Sequence, residues 1–544
     1  MKARGSRADF FIILVLFFCT VCNSLQDKLS EHLGSKGPYI APEGWTRPEV
    51  PSTCTPTMIT GVFRHGSRNP SAKDIKKFEQ LEDLLRRLSR EINTTNDKLR
   101  WAQTWKNPFK EEDASMLVSL GVEEHLELGR RWQARFPHLL SDSYHPRHHV
   151  FRSSCHERSA RSAHAFAGGA FDVSGPGVSA GRYNPVHVIT PSCESRDTTL
   201  RFFDSCPRYK KEKRKATQVQ EQFLESKEVQ DVVARVGSKL GLKETSKELK
   251  AKHVAAMFTL CAFEAGQMKE SSRFCSLLDE DDMSTMEYWD DLKHFYKKSY
   301  GLAMNAGMAC PLLLHLVHVM KSRPPHKTAE LLFAHGETML PLVTLLGLFQ
   351  DPFQLNASTP LHLRRTRKFR SGRIIPMAAN IVFVLHSCRQ DSSSPQDLRV
   401  LVMVNERPVK LAACSEEEGW LCPLDSLIRI ISDRQDTPRK LLNDLLQSEG
   451  SKGDSGKGKG VLEHICGFRQ LCALSGKEGD SSSSSCSPEE EEEGEQTLNE
   501  GMEDEKLQEA DTSETRLASL IFIFFLLFSS FSLLAFTAWF LSRL

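Results

Sequence analysis

The sequence predicts an α/β fold: a three-layer sandwich with a mainly parallel central sheet plus an inserted, largely helical domain. Three observations predict it. Short apolar runs alternate with amphipathic helical stretches, two of those runs end directly on a histidine, and a lysine-rich block of helix formers separates the two halves.

The first run, Met58 to Phe63, is β-branched and apolar and leads into Arg64-His65-Gly66, which predicts a buried strand opening into a loop. From Gly121 to Phe136, the residues Val122, Leu126, Leu128, Trp132 and Phe136 recur at helical spacing with charges between them. His149 to Arg152 predicts a second short strand, and the small and apolar residues from Ser159 to Phe171 suit a packed helix. Between about 175 and 325, helix formers and lysines dominate, including Lys210 to Lys215 and Lys293 to Lys298. Glu330 to Phe333 predicts another buried strand, followed by Ala334-His335-Gly336-Glu337 and a helix through Leu348. Ile381 to Leu385 and Val400 to Val404 predict two more strands. In such sheets a site forms where loops leave the carboxyl ends of strands, and both His65 and His335 stand at such points.

The expected organisation is a leader (1–24), the first part of an α/β core (25–174), a helical insert (175–325), the second part of the core (326–474), an acidic stalk (475–516) and an apolar end (517–541). Lys2, Arg4 and Arg7 precede the short apolar run Phe10 to Val21, as in a signal peptide. Leu517 to Leu541 is 25 residues without a charge, and only Ser542, Arg543 and Leu544 follow. That length spans a bilayer, and it also fits a cleaved signal for a glycolipid anchor. Ser481–Ser485 and Glu489–Glu493 lie in the stalk, whose composition cannot bury a core.

These features place the body in the secretory pathway, on the luminal or extracellular side of a cell-surface, endoplasmic reticulum or endolysosomal membrane. Of 15 cysteines, Cys19 and Cys22 fall in the leader, which leaves 13 for an oxidising compartment. The spacings Cys261 to Cys275 and Cys414 to Cys422 are short enough for local disulfides, and no paired Cys-x-x-Cys units suggest a zinc site. Asn93 and Asn356 begin glycosylation acceptor triplets.

The formal net charge of +1 conceals a split. Residues 481–516 hold 13 acids against 2 bases, whereas residues 25–480 hold 65 bases against 56 acids. A basic body suits an anionic ligand. Behind a leader, the runs Arg208 to Lys215 and Arg364 to Arg373 are not nuclear signals and point to no nucleic acid. They suit either solvated surface or the guidance of a polyphosphorylated substrate.

Arg64-His65-Gly66-Ser67-Arg68-Asn69-Pro70 carries the chemistry. Guanidinium forks match phosphate oxygens and never lose their charge, and a glycine lets the backbone approach a ligand. An imidazole between two cations has its pKa pushed down, so a ring nitrogen stays available to attack phosphorus. Phe151-Arg152-Ser153-Ser154-Cys155-His156-Glu157-Arg158 offers a third arginine, Arg158 or Arg152, and Ala334-His335-Gly336-Glu337-Thr338 offers a second histidine with a carboxylic acid two residues on.

This set resembles the histidine phosphatase superfamily in its acid phosphatase and phytase branch, and within it the multiple inositol polyphosphate phosphatase family. The family motif Arg-His-Gly-x-Arg-x-Pro is present in full, and the likeness runs in order across roughly 50–430. Phe369 to Pro376 and Asn405-Glu406-Arg407-Pro408 also resemble that family. Two positions depart: Gly336 stands where the family usually has alanine, loosening the loop that holds Glu337, and Met377 where it often has an aromatic. The resemblance implies His65 as nucleophile, Arg64, Arg68, Arg158 and His335 as phosphate ligands, and Glu337 as proton donor. It implies no metal and no cofactor, and as substrates inositol polyphosphates such as phytate, with the 3-phosphate of 2,3-bisphosphoglycerate as a further one. A positioned acid is worth about 10²–10⁴-fold against an alkoxide leaving group. A broad lysosomal-type acid phosphatase remains as an alternative, although its aspartate directly after the second histidine is absent here. A tethered polyanion-binding protein with weak turnover is a third reading, supported by Gly336 alone.

Overall fold

The computed structural model describes residues 31–473 apart from 45–47, 93–98, 142, 172–184, 244–246, 268–272, 323–325, 390–396, 415–418 and 436–465. The leader, the triplet at Asn93, the acidic stalk, Cys486 and the apolar end 517–541 lie outside the described residues. Among the described residues, no helix is long and apolar enough to cross a membrane.

The strand at Met58 to Phe63 is the middle of β1 (Cys54–Arg64), whose last seven residues are all buried. The other apolar runs form β2 (His149–Ser153), β4 (Ala329–Ala334), β5 (Asn380–Cys388) and β6 (Asp397–Val404). Short pieces β3 (Val188–Ile189), β7 (Arg407–Pro408) and β8 (Leu421–Pro423) complete the sheet. Its order is β3-β2-β4-β1-β5-β6-β7, with β8 also paired to β6. The sheet is mixed rather than mainly parallel. Pairings from β3 through β1 are parallel, and those of β1 with β5, β5 with β6, and β6 with β7 and β8 are antiparallel. The physical reason is the connection: β5 reaches β6 across residues 389–396, too short for the helical crossover that a parallel neighbour needs.

Alternation along β1 makes three layers. Met58 and Val62 face one apolar cluster, whereas Ile59 and Phe63 face another. The second layer is built by α2 (Ser119–Arg135) and α3 (Glu157–Ala170), which supply Leu128, Trp132 and Phe166. The first holds α1 (Ala72–Leu88) and the helical segment α4 (Pro207–Glu212), α5 (Arg214–Leu224), α6 (Lys227–Leu240), α7 (Ala251–Gln267), α8 (Glu280–Lys298), α9 (Met304–Met308) and α10 (Cys310–Ser322). These helices share their apolar cluster with the sheet face, together with α11 (Gly336–Leu345).

Both expected local disulfides, Cys261–Cys275 and Cys414–Cys422, are formed. Four more join Cys54–Cys388, Cys155–Cys193, Cys206–Cys472 and Cys310–Cys466. Cys155, His156 and Cys193 lie together, but the two sulfurs are bonded to each other rather than present as thiolates.

Candidate active site

Three loops meet at the carboxyl ends of the parallel strands. Arg64 is opposite Ala334 in the β1–β4 register, so the next residues, His65 and His335, leave the sheet side by side with ring centroids 5.5 Å apart. Ser153 of β2 is opposite Phe333, which brings Ser154, His156 and Arg158 to the same end. The His156 ring lies 5.2 Å from that of His335. Arg64, His65, Arg68, Arg158 and His335 are all buried.

The loop after β1 is held from every side. Gly66 packs on the start of α2 so closely that a Cβ would meet the Gly121 carbonyl oxygen at 2.3 Å. Ser67 donates to the buried carboxylate of Glu124 from its amide (2.7 Å) and its hydroxyl (2.9 Å). His125 Nε2 donates to the Arg64 carbonyl at 2.9 Å, and the Gly66 amide donates to Ser162 Oγ at 3.0 Å. Arg64 Nη1 reaches the carbonyls of Ser35 (2.6 Å) and Ile375 (2.5 Å). Such support fixes the imidazole before any ligand arrives.

His65 Nδ1 donates to the Gly66 carbonyl at 2.9 Å, which leaves the Nε2 lone pair as the nucleophile. Burial, then the guanidiniums of Arg158, Arg64 and Arg68, push the His65 pKa well below its ordinary value. His335 is lowered in the same way by burial, Arg158 and Arg201. Its Nε2 accepts from Arg201 Nη1 at 3.2 Å and lies 2.9 Å from Ser154 Oγ, which places the ring proton on Nδ1. Among the described residues that buried Nδ1 has no hydrogen-bond partner, so its proton suits a phosphoryl oxygen.

Glu337 sits in the first turn of α11, in an ion pair with Lys298 at the end of α8. Burial raises its pKa, but Lys298 and Lys297 outweigh burial and hold the carboxyl well below the usual carboxylate range. Burial brings Lys298 itself down to about 8. At Gly336 an added methyl would press on Ile375 Cδ1 at 3.1 Å, so that isoleucine, rather than open space, takes the room of the missing side chain.

The structure thus gathers Arg64, His65, Arg68, Arg158 and His335, with Glu337 in the adjoining turn. Arg152, the other arginine in its motif, pairs instead with Glu330 at 3.1 Å, and Glu157 pairs with Arg161 at 2.7 Å. Of the two basic runs, Arg364 to Arg373 is bound up with acids: Arg364 with Glu228, Arg365 with Asp281, Arg367 with Asp291, Arg370 with Glu287 and Arg373 with Glu31. Arg208 to Lys215 borders the site, where Asp204 and Glu337 bear on Lys213. Sequence reading missed Arg201, Lys298, Glu124 and His125. Lys298 is in the noted run Lys293 to Lys298, whose spacing signalled only helix. Glu124 and His125 lie between apolar positions of α2, where polar residues read as solvent-facing. Arg201 has no motif around it. Asn356 is exposed, as its expected glycan requires.

Residues 57–403 match the family described as histidine phosphatase superfamily (branch 2). The chain is similar to multiple inositol polyphosphate phosphatase 1 of Homo sapiens, 30% identical over 421 residues, covering 71% of this chain and 84% of that protein. It is 31% identical over 424 residues to the protein of that name from Gallus gallus, covering 75% and 89%. Among solved structures, the Bifidobacterium longum multiple inositol polyphosphate phosphatase in complex with inositol hexasulfate shares the fold. Its TM-score is 0.59 at 18% identity, covering 74% of this chain and 98% of that one.

Proposed function

The chain belongs to the histidine phosphatase superfamily, branch 2, and is a phosphoric monoester hydrolase; from that premise we propose that it dephosphorylates inositol polyphosphates, phytate included, through a phosphohistidine on His65. The observation that carries this reading is the buried pair of neutral imidazoles on which Arg64, Arg68, Arg158 and Arg201 bear. Names of the relatives point to the same substrate class.

His65 Nε2 attacks phosphorus, the bond from phosphorus to the substrate oxygen breaks, and that oxygen takes the proton of Glu337. Water then attacks the phosphohistidine, gives its proton to the Glu337 carboxylate, and releases inorganic phosphate and neutral His65. Arg64, Arg68, Arg158 and the Nδ1 proton of His335 meet the charge that gathers on the phosphoryl oxygens. Side chains of the chain and one water molecule take the roles in both steps. The 3-phosphate of 2,3-bisphosphoglycerate, an alkyl phosphate beside a second phosphate, falls within the same chemistry.

The test is phosphate release from inositol hexakisphosphate, followed by acid-labile, base-stable labelling of the protein from a labelled substrate. Full activity of His65→Ala, or turnover of a simple aryl phosphate equal to that of the hexakisphosphate, overturns the reading. We place the body on the luminal or extracellular side of a membrane, tethered through the stretch 517–541. Six disulfides among the described residues support that compartment.

A further inference from the structure

A proton donor must carry a proton when the ester bond breaks, yet Glu337 is ion-paired with a buried lysine. We propose that Lys298 couples protonation of Glu337 to a second phosphate on the substrate: its ammonium holds the Glu337 carboxylate until a phosphate beside the scissile one takes that carboxylate's place. The inference rests on the proposed role of Glu337 as acid, and names the feature of the substrate that arms it.

The geometry supplies both halves. Lys298 closes α8, where the helix carbonyls favour a cation. Lys293 and Lys297 act on it, and it acts in turn on His294 one turn back. Around Glu337 stand Lys298, Lys297 and His335, while Glu337 bears on Asp204, Tyr209 and Lys213 across from it. The described groups named here include four lysines, and Asp290 also stands beside Lys293 and His294. A phosphate dianion carries more charge than a carboxylate, so it displaces Glu337 from Lys298. Its negative charge then lies beside the released carboxyl, which favours the neutral acid. The proton comes from solvent and is passed to the leaving oxygen during cleavage. An ester with one phosphate fills the His65 pocket but brings nothing to Lys298, so Glu337 stays an anion.

The experiment measures kcat against pH for inositol hexakisphosphate and for glycerol 2-phosphate, which has a similar alkoxide leaving group and one phosphate. In the wild-type protein the alkaline fall in kcat, where Glu337 loses its proton, should lie at higher pH for the hexakisphosphate. Lys298→Met should raise KM for the hexakisphosphate about 10–100-fold, the loss of a hydrogen bond to a charged group, with kcat little changed. For glycerol 2-phosphate it should move the alkaline limb upward, so that kcat at neutral pH rises roughly tenfold per unit of that movement. Lys298→Arg should keep the two limbs apart. Coincident wild-type limbs overturn the inference, as does an equal fall in kcat for both substrates in Lys298→Met that Lys298→Arg does not restore. If Lys298→Met does not fold by its melting curve, the wild-type profiles and Lys298→Arg decide. A wild-type protein that hydrolyses glycerol 2-phosphate but not the hexakisphosphate overturns the proposed substrate class itself.

Discussion

One face of α8 carries two opposite uses of charge. Glu287 and Asp291 lie a turn apart in the middle of that face, and Lys298 ends it two turns later. Around the two acids, Arg367 Nη2 binds Asp291 at 2.6 Å and Glu287 at 3.3 Å, Arg370 binds Glu287 at 2.8 Å, and the Ser371 amide binds Asp291 at 2.7 Å. Arg367 also stacks on Tyr288 with its carbon 5.2 Å from the ring centre. In this knot each named guanidinium meets a carboxylate. In the phosphate pocket Arg64, Arg68 and Arg158 bear on His65, which answers by staying neutral. The lesson is about sign: charge settled within the chain holds the fold, and cations gathered on neutral bases suit an anion from outside.

The comparison breaks most visibly at His65. His65→Ala should lower phosphate release about 10⁴-fold or more, measured as kcat/KM, because the covalent step loses its nucleophile. The arginines remain, so inorganic phosphate should still raise the melting temperature of the variant. Arg367→Met is the converse. It leaves Asp291 and Glu287 buried with less compensation and should cost about 3–5 kcal/mol in denaturant unfolding, while the folded fraction keeps its kcat. If Arg367→Met spares stability and removes activity, the two regions have been assigned the wrong way round.

Much of this was legible in the sequence because it was local. Strand β1 and its histidine are adjacent in the chain, as are β4 and His335, and a motif of seven residues carries two of the three arginines that bear on His65. Asn405-Glu406 could be matched, but not explained. Both have positive φ in the turn between β6 and β7, and Glu406 is gripped there by Arg131 and by the Tyr39 hydroxyl, 275 and 367 residues away. The knot was illegible for the same reason: Arg367 is 76 residues from Asp291, so the sequence offered Arg364 to Arg373 only as a basic run. The antiparallel half of the sheet was obscured because β5 and β6 are buried on both faces and read like parallel strands. Lys298 was hidden among lysines whose other members pointed only to helix.

Acid should act on two buried imidazoles in one direction. His125 and His294 are buried and held at about 3 and about 4. Their folded pKa values lie below the unfolded one, so the unfolded chain binds protons first as pH falls. Stability is therefore full above about 6.5 and is lost progressively down to about 3, by about 1.4 kcal/mol for each unit of displacement. Glu330, ringed by His315, Lys327 and Arg152, is depressed as a carboxylate and adds a loss in the same sense at still lower pH. Between pH 7 and pH 4 these two imidazoles pull the denaturant midpoint down, whereas Asp291, raised to about 6 by burial, acts the other way. His294→Gln should flatten the curve, and an unchanged slope would contradict the buried, neutral state assigned to that imidazole.

The smallest expected effect sharpens the contrast most. Arg365 and Asp281 are 2.9 Å apart, as close as Arg370 and Glu287 in the knot, but their side chains are 57% and 79% exposed. Water screens such a pair and offsets its attraction, and holding two long side chains in register costs entropy. Arg365→Gln should therefore change unfolding free energy by at most about 1 kcal/mol, two residues from a position where the same loss of charge costs several times more. The two arginines are neighbours in sequence and each meets a carboxylate, but Arg367 is buried and meets two. Equal costs for Arg365→Gln and Arg367→Met would mean that the knot draws its strength from something other than desolvated charge.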